Sequence, residues 1–195
     1  MAATGDDDAG PAVDARVVRT RNDILRAALH LVTDEGLEAV THHHLAEVAG
    51  YSRATIYKHW PTRNVLLRDA FAHLSDGEHH TPAGDLRSDL IAEMTLFRQE
   101  MERHRLDRAL AVLAAVTASD PEMAGVRDRL VTDGERVVRQ LLATVLHGPE
   151  LEAAAQMLPG AIVNSALLHG RLPSDNVIAA MVDLVLCSVN AKRSR

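Results

Sequence analysis

Apolar residues recur at intervals of three and four along almost the whole chain, a spacing typical of α-helices that bury one face. In the first such segment, Val18 to Glu35, the repeat includes Ile24, Ala28 and Val32. We find no convincing run of the polar–apolar alternation that is typical of a β-strand. The sequence therefore predicts an all-α fold.

Two changes in composition suggest how these helices are grouped. Residues 1–14 mix Asp, Gly, Ala and Pro without periodicity, and we expect them to form a disordered tail. The stretch from Asp76 to Gly84 contains two glycines and a proline, which are typical of a boundary between domains. We therefore expect an N-terminal helical domain over residues 15–75 and a C-terminal helical domain over residues 76–195.

The formal net charge of −6 is unevenly distributed. Residues 1–14 carry four Asp and no basic residue, whereas residues 15–75 carry eight Lys or Arg against six Asp or Glu. Because the acidic excess lies outside this mildly basic block, the N-terminal domain can still bind phosphates.

Several classes of protein do not fit the sequence. The longest uncharged apolar stretches, Ala109–Ala118 and Met157–Leu168, are well below the ~20 residues that span a bilayer. The N-terminus has no apolar signal segment. The single cysteine, Cys187, fits a reducing compartment, and we expect it to be a small buried residue. We expect a cytoplasmic protein with no membrane partner.

Two short helices are predicted on either side of the turn Gly50-Tyr51-Ser52. The first is His42 to Ala49, with Thr41 as its N-cap, and the second is Arg53 to Trp60. Two short helices joined by a three-residue turn that contains glycine, after a longer helix, form a helix-turn-helix pattern.

The second short helix combines an apolar stripe with a polar surface. Ile56 and Trp60 lie four residues apart and are expected to face the core. The opposite surface then presents many hydrogen-bond donors, while Ala54 is small enough for a close backbone approach. A helix that enters a DNA groove needs this combination.

Residues 45–62, LAEVAGYSRATIYKHWPT, strongly resemble the DNA-binding motif of the TetR family of bacterial transcriptional regulators. ILRAA at 24–28 and EGL at 35–37 resemble the first helix of that family and its end, so the resemblance covers about residues 16–75. The chain departs from the family pattern in having Tyr51 where a small aliphatic residue is usual, Trp60 where Phe is usual, and the run His42-His43-His44.

The resemblance implies an N-terminal three-helix DNA-binding domain and a C-terminal helical domain for effector binding and dimerisation. It also implies a homodimer that binds a palindromic double-stranded operator and a small-molecule effector. It assigns seven residues to the DNA-facing surface: Thr41, Arg53, Ala54, Thr55, Tyr57, Lys58 and His59. Three arginines just before the first helix are expected to reach the flanking DNA backbone: Arg16, Arg19 and Arg21.

The interior faces of the C-terminal predicted helices hold almost no fixed charge. Burying an unpaired charge among them would be unfavourable, so we expect a largely apolar effector. Seven side chains are candidates for the pocket lining: Met94, Phe97, Met101, Leu113, Val116, Val137 and Leu141.

The last two predicted helices, Leu151–Leu168 and Asp175–Ala191, are apolar over a wider arc than a surface helix of a single domain needs. Two such helices from each protomer can bury one another as a four-helix bundle. Seven side chains are candidates for the dimer interface: Leu158, Ile162, Val163, Leu167, Met181, Leu184 and Val185.

Enzymatic and metal-binding functions find little support. Three consecutive helical side chains fan over about 200°, so His42-His43-His44 do not converge on one ion. The chain has no Gly-rich phosphate loop, nucleophile elbow or zinc-binding helix motif. We expect no enzyme activity, no metal and no cofactor. The sequence favours a ligand-responsive transcriptional repressor, and the alternative is a helical small-molecule binding protein with weak or lost DNA binding.

Overall fold

The computed structural model of the protein describes residues 11–118 and 120–193, with side chains described over 15–75, 77–118 and 120–187. Across these residues every regular element is a helix, which confirms the predicted all-α class. The chain divides into two compact units, one ending at His73 and the other beginning at Leu74.

The N-terminal unit contains four α-helices: α1 (Pro11–Asp34), α2 (His42–Ala49), α3 (Arg53–His59) and α4 (Arg63–Ala72). Short 3₁₀ turns at Leu37–Ala39 and His73–Asp76 follow α1 and α4. The first helix begins well before Val18, since proline suits the first turn of a helix and helix-compatible residues follow it. The backbone of residues 11–14 is thus helical, so the prediction of a disordered tail is wrong for these four residues. Residues 1–10 of that predicted tail lie outside the described residues.

The core of the N-terminal unit is formed where α1 packs against α2 and α4. Ile24 and Ala28 of α1, Leu45 of α2, Ile56 of α3 and Leu66 of α4 are all fully buried. Burial of one stripe from each helix fixes the two short helices against the long one.

The C-terminal unit contains five α-helices: α5 (Leu86–Arg103), α6 (Leu106–Thr117), α7 (Pro121–Leu142), α8 (Gly148–His169) and α9 (Asp175–Arg193). Helix α8 begins at Gly148 with a proline in its first turn, where a missing N–H is tolerated. Helix α8 continues through the buried Pro159 without a break.

The core of this unit lies among α5, α7, α8 and α9. It includes Leu90 of α5, Leu142 of α7, Ile162 of α8 and Val182 of α9. Cys187 of α9 is exposed, so the expectation that it is buried is wrong.

Two buried carboxylates of α5 hold the segment that precedes this helix. Asp89 accepts hydrogen bonds from the backbone N–H groups of Ala83 (2.8 Å) and Gly84 (2.9 Å) and from His80 Nε2 (2.9 Å). Glu93 accepts one from His79 Nδ1 at 2.7 Å. These carboxylates accept hydrogen bonds from backbone N–H groups of the loop. Without such partners, N–H groups that are shielded from water would be left unsatisfied.

The bonds to Asp89 make the stability of the C-terminal unit depend on pH. The backbone N–H of Ala83, and next the side chain of His80, stabilise the carboxylate and lower its pKa. Its contribution is therefore complete above the unfolded-state pKa of about 3.9 and is lost as the pH falls through the lower, folded-state pKa.

Asp89→Asn should lower stability at neutral pH, because an amide cannot accept the same set of bonds, and it should remove this part of the acid sensitivity. Urea unfolding followed by circular dichroism between neutral and acidic pH measures both effects. Asp128→Asn, at an exposed ion pair with Arg127, is the control. A variant at Asp89 with the pH profile of the wild type contradicts this assignment.

Candidate DNA-binding surface

Local hydrogen bonds define the two short helices and the turn between them. Thr41 Oγ1 accepts a bond from the backbone N–H of His44, and Ser52 Oγ accepts one from that of Thr55, both at 3.1 Å. Gly50 adopts a left-handed conformation (φ 71°) that ends α2 at little steric cost. The N-cap Thr41 and the turn Gly50-Tyr51-Ser52 lie where the sequence predicts them.

Helix α3 has one buried and one outward face. Ile56 within the helix and Trp60 just after it are completely buried. None of the DNA-facing candidates on α3 is buried: Arg53, Ala54, Tyr57 and Lys58 are exposed, and Thr55 and His59 are half-buried. Thr41 is exposed at the start of α2, with its hydroxyl oxygen occupied as the N-cap.

A buried indole and a carboxylate fix the end of this surface. Trp60 Nε1 donates to Asp69 Oδ2 of α4 at 3.1 Å, and Arg21 of α1 donates to the same oxygen. The Arg21 guanidinium also lies over the indole ring, 5.0 Å from its centroid. Arg21 is therefore paired within the unit while its side chain stays 40% exposed, and its contact with the DNA backbone stays a prediction. Arg16 and Arg19 are exposed.

Two polar side chains secure the loops of the helix-turn-helix. Tyr51 in the turn is half-buried and donates from its hydroxyl to Asp23 of α1 at 3.0 Å. Arg63 at the start of α4 donates to the carbonyls of Leu37 and Val40, in the connection between α1 and α2. Sequence reasoning missed the role of Arg63, because nothing in the local pattern points to these distant carbonyls.

The three consecutive histidines have three different environments. His42 is half-buried, with Nε2 2.7 Å from the carbonyl oxygen of Trp60 and its ring stacked on Tyr57. His43 lies 3.7 Å from Glu47 of the same helix, and His44 lies 3.6 Å from Glu35. The side chains diverge, as expected for successive positions of a helix.

The seven pocket candidates lie on α5, α6 and α7, which pack against one another. Met94, Met101, Leu113, Val137 and Leu141 are buried, while Phe97 and Val116 are half-buried. A cavity of about 300 Å³ opens beside them at the ends of α5 and α8. Its lining shares only Met101 with the predicted set and is largely polar: Met101, Glu102, Arg105, Asp107, Arg108, Ala166, Gly170, Arg171 and Leu172.

The seven dimer candidates divide between the core and the surface of the C-terminal unit. Leu158, Ile162 and Val185 are buried in the core of their own protomer, and Val163 and Met181 pack against it. Leu167 and Leu184 are exposed. Among the described side chains of these two helices, the other large apolar ones that are exposed are Met157, Leu168 and Val177.

Within the described part of the chain, no group of three or more His, Cys, Asp or Glu side chains could hold a metal ion. Among the same residues, no helix is both long enough and apolar enough to cross a bilayer.

Comparison with known proteins points to one family. Residues 24–70 match the family model of bacterial regulatory proteins of the tetR family. An uncharacterised helix-turn-helix transcriptional regulator of Mycobacterium bovis is 25% identical over 171 residues, which are 84% of this chain and 84% of the relative. The class A tetracycline repressor of Escherichia coli is 35% identical over 89 residues, which are 43% of this chain and 41% of the repressor.

Solved structures share the fold. A TetR-family regulator from Streptomyces coelicolor superposes with a TM-score of 0.66 at 16% identity, covering 90% of this chain and 83% of the other. One from Marinobacter aquaeolei gives 0.63 at 23% identity, covering 88% and 96%.

The helix-turn-helix, its outward-facing α3 and the shared fold define a DNA-binding transcriptional regulator. Residues 24–70 belong to the DNA-binding family of bacterial tetR regulatory proteins, and the chain as a whole is similar to helix-turn-helix transcriptional regulators.

Removing the Asp69 carboxylate should destabilise the DNA-binding unit. Asp69→Ala leaves the buried indole N–H of Trp60 without its acceptor, which costs about 1–3 kcal/mol. Urea unfolding followed by tryptophan fluorescence measures this, because Trp60 is the only tryptophan of the chain and reports on this unit.

The control is Glu47→Ala, which removes an exposed carboxylate with a single weak ion pair and should change stability by less than about 0.5 kcal/mol. Equal unfolding curves for the two variants would show that the Trp60–Asp69 bond contributes nothing to stability.

Proposed function

We propose that this regulator is a repressor that binds a palindromic operator as a homodimer in the cytoplasm and is released by a small, largely apolar molecule. The main support for DNA binding is that α3 buries its apolar side chains completely and turns hydrogen-bond donors and positively charged side chains outward. Its similarity to a tetracycline repressor supports the repressor role.

The outward face of α3 offers two kinds of contact. Tyr57, Lys58 and His59 suit phosphates, since they provide donors or a point charge without a fixed fork geometry. Arg53, Ala54 and Thr55 occupy the first turn of α3, the part of a recognition helix that reaches base edges. Arginine can bind a guanine edge with two hydrogen bonds, which carries sequence information.

The proposed effector site is the packed region between α5, α6 and α7. The side chains there are apolar and include Met94 and Met101, whose flexible thioethers can rearrange around a ligand. An apolar molecule entering this region would not leave a buried charge unpaired.

The proposed dimer interface is formed by the exposed apolar side chains of α8 and α9. On α9, Val177 and Leu184 are seven residues apart, so they lie on one face of the helix, and Leu184 is 73% exposed. On α8, Met157 and Leu168 are eleven residues apart, again on one face. A four-helix bundle with a second protomer would cover both faces.

Lys58→Ala should weaken binding about equally for all duplexes, because a charge on a phosphate carries little sequence information. The slope of log K against log salt should fall by roughly 0.9 per lost contact in each protomer. Fluorescence anisotropy titrations at several salt concentrations, with a duplex selected from a random pool, measure both quantities.

Arg136→Ala removes the same charge from an exposed position on α7 and should leave the slope unchanged. Arg53→Ala should instead relax the preference at one base position by ~1–3 kcal/mol. An unchanged affinity and slope for Lys58→Ala would place DNA elsewhere on the unit.

Leu184→Glu should produce monomers, because it places a charge in the proposed α8–α9 interface without touching the protomer core. Each monomer would keep one half-site, so operator affinity should fall by orders of magnitude. Light scattering of the variant, together with a binding titration, tests both effects.

Val131→Glu is the matched control, since Val131 is an exposed apolar residue of α7 outside the proposed interface. It should remain dimeric and bind normally. A dimeric Leu184→Glu variant with full affinity would rule out this interface.

A further inference from the structure

His42 makes a hydrogen bond that links the start of α2 to the end of α3. Its Nε2 lies 2.7 Å from the carbonyl oxygen of Trp60, the residue that terminates α3. Because a carbonyl oxygen only accepts, the hydrogen must lie on Nε2. The bond fixes the position of the imidazole edge relative to α3.

The face of the same imidazole lies against Tyr57. The two rings are nearly parallel, with an interplanar angle of 3° and centroids 4.1 Å apart. Tyr57 is 52% exposed on the outward face of α3, where an unsupported aromatic side chain would exchange between rotamers. The imidazole therefore gives Tyr57 a flat support that is itself anchored to the backbone.

We propose that His42 is a positioning residue for DNA binding: anchored on the Trp60 carbonyl, its ring holds the Tyr57 side chain in the orientation that contacts the DNA. This inference rests on the proposed function, in which Tyr57 contacts the DNA. The adjacent His43 and His44 take no part, since each lies near a carboxylate on another side of the helix.

As a positioning residue, His42 contributes to affinity only through Tyr57. Ordering one side chain before binding removes about 0.5–1.5 kcal/mol of ordering cost, which corresponds to about 2- to 12-fold in affinity per protomer. A residue that only stabilised the unit would not show this dependence, because its effect would be the same whichever side chain occupied position 57.

The test is a double-mutant cycle in operator affinity with the full-length chain. His42→Gln can keep a donor for the Trp60 carbonyl but lacks the ring, and Tyr57→Ala removes the supported side chain. His42→Gln should weaken binding about 2- to 12-fold per protomer in the wild type and have no further effect in Tyr57→Ala. The matched cycle with Lys58→Ala should be additive, because no ring contact joins Lys58 to His42.

Two further measurements address folding and orientation directly. His42→Phe keeps a flat ring, so it should bind more tightly than His42→Gln even if loss of the hydrogen bond lowers its melting temperature. In the free wild-type protein, the NMR signals of the Tyr57 ring should show the upfield shift caused by a stacked ring, and this shift should disappear in His42→Gln.

The outcomes separate this inference from the proposed function. If the wild type binds no duplex selected from a random pool, the proposed function fails. If the wild type binds but the effects of His42→Gln and Tyr57→Ala add fully, His42 has no positioning role and the inference alone is overturned. An unshifted Tyr57 ring in the wild type overturns it as well.

Discussion

The DNA-binding unit depends on the complete burial of Trp60. Its indole ring is fully buried beneath Arg21 of α1, and its N–H donates to Asp69 of α4. Without that acceptor, the penalty for a buried, unsatisfied N–H would offset much of the stability that burial of the apolar ring provides. Because Trp60 directly follows α3, this burial sets which face of the helix points outward. The carbonyl of the same residue anchors His42, so the position of α2 depends on it as well.

The C-terminal unit combines an apolar core with buried charge at its edge. Asp89 and Glu93 lie on α5 beside the core residues Leu90 and Met94. The carboxylates bind the segment that connects to the N-terminal unit, while the apolar side chains of the same helix belong to the proposed effector region. Helix α5 therefore carries both the proposed effector contacts and the attachment of the connecting segment.

Features formed by neighbouring residues could be predicted from the sequence. The N-caps Thr41, Ser52 and Thr62 bond to N–H groups three residues away, so their role follows from local order. The roles of Arg21, His42 and Tyr51 could not be predicted, because their partners lie 48, 18 and 28 residues away along the chain. Such contacts exist only after the helices have packed.

The sequence by itself determined the helices, the helix-turn-helix and the chemistry of the outward face of α3, since these follow from periodicity, turn residues and short-range hydrogen bonds. Only the tertiary structure decided which side of an apolar helix is covered. Leu158 and Val185 are buried within the protomer, whereas Met157 and Leu184 are exposed on the same helices. The physical reason is that these helices are apolar on more than one face. The packing of the other helices decides which of those faces is covered within the protomer.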